Sequence, residues 1–359
     1  MTGAGDARTE EHSYVAVAEH KLARMFGAVG ASRDRIDEAT ALLRDVTRPW
    51  GTRTVPRRLS YFSAASNDGA PIELSMGWQR DRTEVRATFE PMGADGSPAE
   101  RLRAATEVTE ALGRRPEVSL TRYHRIADLF IPPTPLTTFT AIHSMVWQDE
   151  RAPWFKIYLN PQAHGRDRAD EVVREALHRL GFTEQWELVR QRLAEPELSE
   201  LDSELVYVAL DLRDTDDARV KLYLRHAGAV PEQLEHLAGA AEEHVAGEVA
   251  DVCRKLSAKL APKPPITTFT LVSSAARPQR CTVNLPISPN MDNDAEGCRA
   301  VTEAFRLTGL DPAPCERALA ALITDPEHSH MLNYVGVTGQ HRLTVFLSLE
   351  AHPVPMTWP

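Results

Sequence analysis

The stretch that decides the fold is Asp217–His226, which reads Asp-Ala-Arg-Val-Lys-Leu-Tyr-Leu-Arg-His. Successive side chains of an extended strand point to opposite faces. The two faces are Arg219, Lys221, Tyr223 and Arg225 on one side, and Val220, Leu222 and Leu224 on the other. A row of cations backed by aliphatic residues is expected where the polar face lines a cavity that holds an anion and helices cover the apolar face. A solvated edge strand is the alternative that this stretch alone leaves open.

The composition is that of a soluble globular protein. The chain has 359 residues, of which 42% are hydrophobic and 26% charged, so it is long enough for a large core. Its net charge of −10 argues against a general nucleic-acid surface. No apolar run approaches the roughly 20 residues that cross a bilayer. We therefore expect no nucleic-acid or membrane partner, and a monomer or a homodimer.

The cysteines and the N-terminus indicate a cytoplasmic protein. The four cysteines form no C-x-x-C pair and have no accompanying histidine spacing, so we expect reduced thiols rather than disulfides or a zinc site. Residues 1–12 carry acids and lack an apolar centre, which predicts a disordered tail and not a signal peptide.

Two helices followed by a hairpin recur five times along the rest of the chain. The predicted helices are 14–28, 33–46, 98–113, 117–129, 169–180, 184–193, 231–260 (interrupted near Gly239 or Gly247), 295–307 and 312–322. The predicted hairpins pair 71–78 with 84–91, 136–147 with 154–161, 205–212 with 217–226, 266–274 with 279–287, and 331–337 with 341–349. A local echo of Pro135–Thr140 in Pro265–Thr270 supports the repeat.

Hairpins without a helix between their strands imply antiparallel pairing. Five of them can close into a ten-stranded barrel that has no exposed edge. We therefore predict an α+β fold, an antiparallel ten-stranded β-barrel with a polar lumen inside a ring of helices, as a single domain over residues 13–359.

The second strands of the five hairpins share a basic position. Each carries a cation near its start, on the face opposite the aliphatic residues: Arg86, Lys156, Arg219 with Lys221, Arg280 and Arg342. Like charges about 4 Å apart at an effective dielectric of about 20 repel by about 4 kcal/mol per pair, so an anion is expected among them. A diphosphate suits this ring, because arginine offers forked donors and lysine a point charge. Pairing with aspartate and glutamate is the alternative.

Four motifs carry a resemblance to a known family. They are Pro71-Ile72-Glu73-Leu74-Ser75, Arg86 with Phe89-Glu90-Pro91-Met92-Gly93, Lys156-Ile157-Tyr158, and Arg219-Val220-Lys221-Leu222-Tyr223. The chain resembles, from about residue 14 to 350, the dimethylallyltryptophan synthase family of aromatic (indole) prenyltransferases, and its composition resembles the bacterial members. That family has a helix-coated barrel of five ααββ repeats, the ABBA or PT barrel.

The resemblance implies a transferase of secondary metabolism, such as alkaloid formation. It would move a dimethylallyl group from dimethylallyl diphosphate to the indole of tryptophan or a tryptophan-derived compound, without a cofactor or an essential magnesium ion. Glu73 would accept a hydrogen bond from the indole N–H and help to remove a proton. Arg86, Lys156, Arg219 and Lys221 would hold the diphosphate, and Tyr158 and Tyr223 would shield the allyl cation.

Two strands depart from the family pattern. Thr282 and Asn284 stand where the family usually has Gln or Lys and then Tyr, and Phe346 stands where Tyr is common. Phe346 keeps the ring of the shield, whereas we expect Asn284 to open it. Three alternatives stay open: a prenyltransferase of phenols or naphthalenes, a barrel that binds isoprenoid diphosphates without turnover, and a structural Glu73–Arg86 salt bridge.

Other motifs are given structural roles. The acidic segments Asp214–Asp217 and Asn290–Asp294 lie in a predicted turn and before a predicted helix, where these residues cap, so we predict no metal site. We likewise interpret His143 and His226 as structural residues. A hydrolase triad lacks its Gly-x-Ser-x-Gly turn.

Overall fold

The structure is a computed structural model that describes residues 12–80, 82–148, 151–256 and 261–355. The predicted tail over residues 1–12 therefore lies outside the described residues, apart from His12. In the described part of the chain, no helix is long and apolar enough to cross a membrane.

In the described ranges, ten helices and ten strands alternate in pairs. The helices are α1 Tyr14–Ala28, α2 Arg33–Thr47, α3 Pro98–Leu112, α4 Thr121–His124, α5 Ala169–Leu180, α6 Thr183–Leu193, α7 Pro231–Ala238, α8 Glu248–Leu256, α9 Asp294–Leu307 and α10 Ala313–Leu322. The strands are β1 Ile72–Gln79, β2 Arg82–Phe89, β3 Ala141–Gln148, β4 Trp154–Leu159, β5 Asp202–Asp211, β6 Val220–Ala227, β7 Ile266–Leu271, β8 Arg280–Pro286, β9 Leu332–Thr338 and β10 Arg342–Leu347.

The strands form one closed antiparallel barrel. Each strand pairs with its neighbours in sequence, and β1 pairs with β10 to close the barrel, with Leu74 opposite Leu347 and Gln79 opposite Arg342. Closure leaves no edge strand free to pair with another chain. The predicted ten-stranded barrel of five repeats is confirmed.

The hydrophobic core lies between the barrel and its helices rather than inside the barrel. Val220, Leu222 and Val283 point outward, and none of their surface is exposed. They belong to the same buried cluster as the inner faces of the helices, for example Leu22 of α1. Complete burial of such a side chain contributes about 1.5–3 kcal/mol. The barrel must therefore be apolar outside, which leaves its inner face for polar residues.

Local signals fix the ends of the helices. Ser32 and Ser97 cap α2 and α3, their hydroxyl oxygens accepting hydrogen bonds from the backbone N–H groups of Arg35 (3.2 Å) and Glu100 (3.3 Å). Helix α5 ends at Gly181, whose φ of +82° is left-handed and suits glycine.

Two predicted elements were wrong in extent. Residues 117–129 form a single helical turn, Thr121–His124, and a 3₁₀ turn, Ala127–Phe130. The segment 231–260 is broken over the whole stretch from Gly239 to Gly247, so that α7 ends at Ala238 and α8 begins at Glu248; residues 257–260 of the predicted helix lie outside the described residues.

The echo of Pro135–Thr140 in Pro265–Thr270 is not a structural equivalence. The first copy precedes β3, and the second lies mostly in β7. Phe139 lines the barrel cavity, whereas Phe269 is buried on the outer face. The echo therefore gave no valid support to the repeat.

Candidate active site

The barrel encloses a cavity of about 630 Å³. Inward residues of the strands form its wall, and the segment from Ser60 to Asn67 contributes to its lining. Hydrogen bonds attach this segment to the barrel: Tyr61 (2.8 Å) and Ser63 (2.6 Å) donate to the carboxylate of Glu90, which directly follows β2.

All six predicted diphosphate-binding residues line this cavity. They are Arg86, Lys156, Arg219, Lys221, Arg280 and Arg342. They come from all five hairpins, as the alternation along the second strands predicted. Gly77 of β1 makes room for them, since a Cβ atom there would lie 3.3 Å from the guanidinium of Arg86.

Three carboxylates pair with five of the six cations. Glu84 pairs with Arg86, Asp211 accepts from Arg219 (2.7 Å) and lies 3.9 Å from Lys156, and Glu243 accepts from Arg280 (2.5 Å) and Arg342 (2.8 Å). Pairing with acids, the alternative that the sequence left open, is thus partly right. When both lysines are charged, the six cations exceed the three carboxylates by three positive charges, which suits a polyanionic guest.

The protonation of this ring follows from burial and from its neighbours. Burial opposes ionisation of Glu84, but Arg86, Arg219 and Lys156 outweigh it and lower the pKa of Glu84 to about 2. Burial, Arg219 and Arg86 lower the pKa of Lys221 to about 7. The pKa of Lys156 is also lowered well below its ordinary value, by burial and then by Arg219 and Lys221. An anion bound here would restore the charge of both lysines.

Lys221 differs from the other five cations. Within the described ranges, no carboxylate lies within salt-bridge distance of its ammonium group, whereas each of the others has one. It is therefore the cation most available to a ligand.

Aromatic rings form a collar around the cavity. Tyr158 and Tyr223, predicted as shields, lie 5.8 Å apart between ring centroids, and Tyr207 lies 5.6 Å from Tyr223. On the other side Phe346 lies 6.4 Å from Tyr334. The collar thus holds five rings that can stabilise a carbocation through their π faces.

Asn284 and Thr282 face the cavity without leaving that side free of rings. The Asn284 amide donates to the backbone oxygen of Ile266 (3.1 Å) and to the Thr268 hydroxyl (3.0 Å), and Thr282 bonds to Thr338 (2.6 Å). Tyr334, on the neighbouring strand β9, supplies a ring there. The expected opening of the shield at Asn284 is therefore offset by a residue that the sequence reasoning missed.

Glu73 points into the same cavity from β1. Its carboxylate accepts a hydrogen bond from the Asn333 amide (2.6 Å). Burial raises the pKa of Glu73 to about 8, against the opposing effects of Asn333 and of the charge on Lys263. The carboxylate partner of Arg86 is Glu84, so the alternative of a Glu73–Arg86 salt bridge has no support among the described ion pairs. A carboxyl group with this pKa can gain and lose a proton near neutral pH.

Sequence reasoning missed several cavity residues. Tyr207 and Tyr334 lie on the first strands of their hairpins, whose alternation of inward and outward residues carries the same signal as that of the second strands. Tyr61 and Lys263 come from loops, where no periodicity exists to reveal them.

The discounted residues lie away from the cavity. His143 bonds to Thr109 (2.8 Å) and His226 to Ser203 (2.9 Å) and Thr267 (2.7 Å), outside the barrel wall. Asn293 caps α9, and Asp294 accepts hydrogen bonds from backbone N–H groups at the start of β9. Asp217 accepts from Arg213 (2.9 Å) and Thr215 (2.7 Å) in its turn.

Comparisons with known proteins agree with this architecture. The model of the family described as tryptophan dimethylallyltransferase matches residues 11–318. A crystal structure of 6-dimethylallyltryptophan synthase from Micromonospora olivasterospora in complex with DMASPP and Trp is 28% identical, with a TM-score of 0.86. It covers 97% of this chain and 99% of its own.

Two further solved structures are similar over almost their whole lengths. The 5-dimethylallyl tryptophan synthase from Streptomyces coelicolor, in complex with DMASPP and Trp, is 25% identical, with a TM-score of 0.80 and coverage of 96% of this chain and 98% of that chain. The ternary complex of prenyltransferase PriB with L-tryptophan and dimethylallyl thiolodiphosphate is 27% identical, with a TM-score of 0.85 and coverage of 95% and 98%.

Proposed function

The chain belongs to the tryptophan dimethylallyltransferase family, and from that premise we propose that it transfers the dimethylallyl group of dimethylallyl diphosphate to the indole ring of tryptophan. One observation carries the proposal: a single cavity holds a ring of six cations, a collar of five aromatic rings and the carboxyl group of Glu73. The similar structures with Trp and a diphosphate analogue support this assignment.

The arrangement can perform each step of such a transfer. The bond between the allylic carbon and its oxygen breaks, and the electron pair leaves with the diphosphate, whose new charge the cations stabilise. The indole π electrons then form a bond to the allyl cation, and the ring becomes an arenium ion. Loss of a ring proton to a base returns the C–H electron pair and restores aromaticity.

We assign the following roles within this proposal. Arg86, Lys156, Arg219, Lys221, Arg280 and Arg342 hold the diphosphate. Tyr158, Tyr223 and Phe346, with Tyr207 and Tyr334, shield the cation from water. Glu73 accepts a hydrogen bond from the indole N–H and takes part in proton removal. Thr282 and Asn284 shape the pocket between β7 and β9.

The reaction is proposed to require no metal ion, because the cations supply the charge that magnesium would otherwise provide to the leaving group. The direct test is incubation with dimethylallyl diphosphate and tryptophan in excess chelator. Prenylated tryptophan is expected with or without the chelator, and loss of product in chelator that magnesium restores would overturn this part. The four cysteines are free, which suits a reducing compartment such as the cytoplasm.

Arg225 favours an acceptor that carries its own carboxylate. It lines the cavity four residues beyond Lys221 on β6, roughly 13 Å along the strand, with Glu204 3.5 Å away as its salt-bridge partner. An indole within the collar would place an amino-acid carboxylate towards this guanidinium. Tryptophan is therefore expected to react with a lower KM than tryptamine, and Arg225→Met should remove that preference.

Replacing Glu73 tests its place in the mechanism. Glu73→Gln keeps the shape of the side chain but accepts no proton, so turnover should fall by at least 100-fold while the diphosphate analogue still binds. Unchanged turnover would exclude Glu73. A panel of indoles, phenols and naphthalenes separates the acceptor classes: product from phenols alone would favour the phenol alternative, and a thermal shift without any product would favour a binding barrel.

A further inference from the structure

A lysine outside the ring of cations lies at the wall of the cavity close to Glu73. Lys263 is 2% exposed, and its ammonium group donates to the side-chain oxygen of Asn67 and lies 3.9 Å from the centroid of the Tyr334 ring. Its backbone is fixed as well, since its N–H donates to Asn290 (3.0 Å) and its carbonyl accepts from the Asn290 amide (2.9 Å). The side chain is therefore held in place at the cavity wall, near the end of the collar formed by Tyr334.

Buried amides connect Lys263 with Glu73. Asn67, which accepts from Lys263, has its amide 3.5 Å from the backbone oxygen of Asn333, and the side-chain amide of Asn333 donates to the Glu73 carboxylate (2.6 Å). Both asparagines are at most 2% exposed. Because the side chains that connect the two charged groups are buried, their interaction is less screened than it would be at the surface.

We infer that Lys263 is a positioning residue that acts on the reaction through Glu73: the two groups titrate as one pair, and the ammonium ion of Lys263 stabilises the carboxylate form of Glu73 that takes part in proton removal. The inference rests on the proposed function. In this pair the proton lost by the arenium ring goes to the Glu73 carboxylate, and it leaves to solvent when the product dissociates.

The charged groups around the pair agree with this role. Glu73 faces Lys263, which lowers its pKa, and Asp68, which raises it. Burial and Arg225 lower the pKa of Lys263, and Glu73 opposes them. Each member of the pair thus favours the charged form of the other, so the loss of one changes the titration of its partner.

The pH profile of turnover distinguishes this role from a merely structural one. Because Lys263 favours the carboxylate, Lys263→Met should raise the pKa of Glu73, and the acidic limb of kcat should move to higher pH by about one unit or more. Lys263→Arg keeps a permanent charge and should leave the limb at the wild-type pH or below it. Lys255→Met, on the exposed surface of α8, is the matched control and should leave the profile unchanged.

A second measurement needs no turnover. The infrared carbonyl band of protonated Glu73, identified by its loss in Glu73→Gln, should titrate at a higher pH in Lys263→Met than in the wild type. An unshifted limb and band, with kcat lowered equally at every pH, would overturn the inference in favour of a packing role. If Lys263→Met does not fold, a limb moved upward in Lys263→Arg would overturn it too. If the wild-type protein prenylates no indole, the proposed function is refuted. The infrared titration would still show whether Lys263 and Glu73 titrate as a pair.

Discussion

Replacing Lys221 with methionine tests whether the ring of cations is the diphosphate site. Lys221 lines the cavity and, within the described ranges, has no carboxylate partner, so a ligand need not displace one. A hydrogen bond to a charged group contributes about 1.5–3 kcal/mol. Lys221→Met should therefore raise the Kd of dimethylallyl thiolodiphosphate roughly tenfold to 150-fold.

The same residue should make binding depend on pH. The pKa of Lys221 is about 7 in the free protein, and the bound anion raises it. The estimated 1.5–3 kcal/mol corresponds to about one to two pKa units, which places the pKa in the complex at about 8–9. The contribution of Lys221 to affinity is thus constant below pH 7 and is lost as pH rises from about 7 to 9.

Isothermal titration calorimetry of the analogue from pH 6 to 9.5, in two buffers of different ionisation enthalpy, measures both the Kd and the protons taken up. The Lys221→Arg variant should keep its affinity for the analogue at high pH. Because the ligand titrates equally with both proteins, the difference between this variant and the wild type reports the titration of Lys221 alone. Lys255→Met serves as the surface control. If Lys221→Met binds like the wild type at every pH, Lys221 is not part of the diphosphate site and the charge argument is refuted.

Three further changes probe other parts of the barrel. Tyr334→Leu removes a ring of the collar, so kcat should fall by roughly thirtyfold for a loss of about 2 kcal/mol of stabilisation of the allyl cation. Product analysis should also show more dimethylallyl alcohol, which forms when water captures the cation. Tyr334→Phe keeps the ring and should show neither change. Asp211→Asn leaves Arg219 without its buried partner, so urea denaturation should show that the free energy of unfolding falls by about 3–5 kcal/mol. An unchanged denaturation midpoint would mean that the Asp211–Arg219 pair is solvated. Leu222→Ala on the outer face should lower the free energy of unfolding by about 2–5 kcal/mol. Thr344→Ala in the lumen should change it by less than about 0.5 kcal/mol. Equal losses would contradict a hydrophobic core that lies between the barrel and the helices.

The fold was predictable because one alternation recurs. The second strand of each hairpin places aliphatic residues outward and polar ones inward. A closed barrel is the arrangement in which all five of these strands bury their aliphatic faces at once. The same alternation predicts that the cations and the rings of Tyr158 and Tyr223 point into the barrel. Their inward direction depends on the strand period alone, which sequence displays directly.

The rest of the site depends on contacts between segments far apart in the chain. Glu243 reaches Arg280 and Arg342 from the connection between α7 and α8, and nothing in its local sequence indicates that position. Lys263 likewise enters from a loop. The similar sequences at residues 135–140 and 265–270 show the opposite case: they occupy different structural positions because different neighbours pack against them.

The pairing of β1 with β10 has a consequence for biosynthesis. Gln79 finds its partner only when Arg342 has been synthesised, so a nascent chain leaves the ribosome with one strand edge exposed for most of translation. Contacts between distant parts of a sequence form slowly, which makes this interval the period of greatest risk of aggregation. The ring of cations takes a member from every repeat, so on the proposed roles we expect a partly made chain not to ionise an allylic diphosphate. Under the same proposal, activity is expected only after the last strand has been made, when the aromatic collar around the allyl cation is complete.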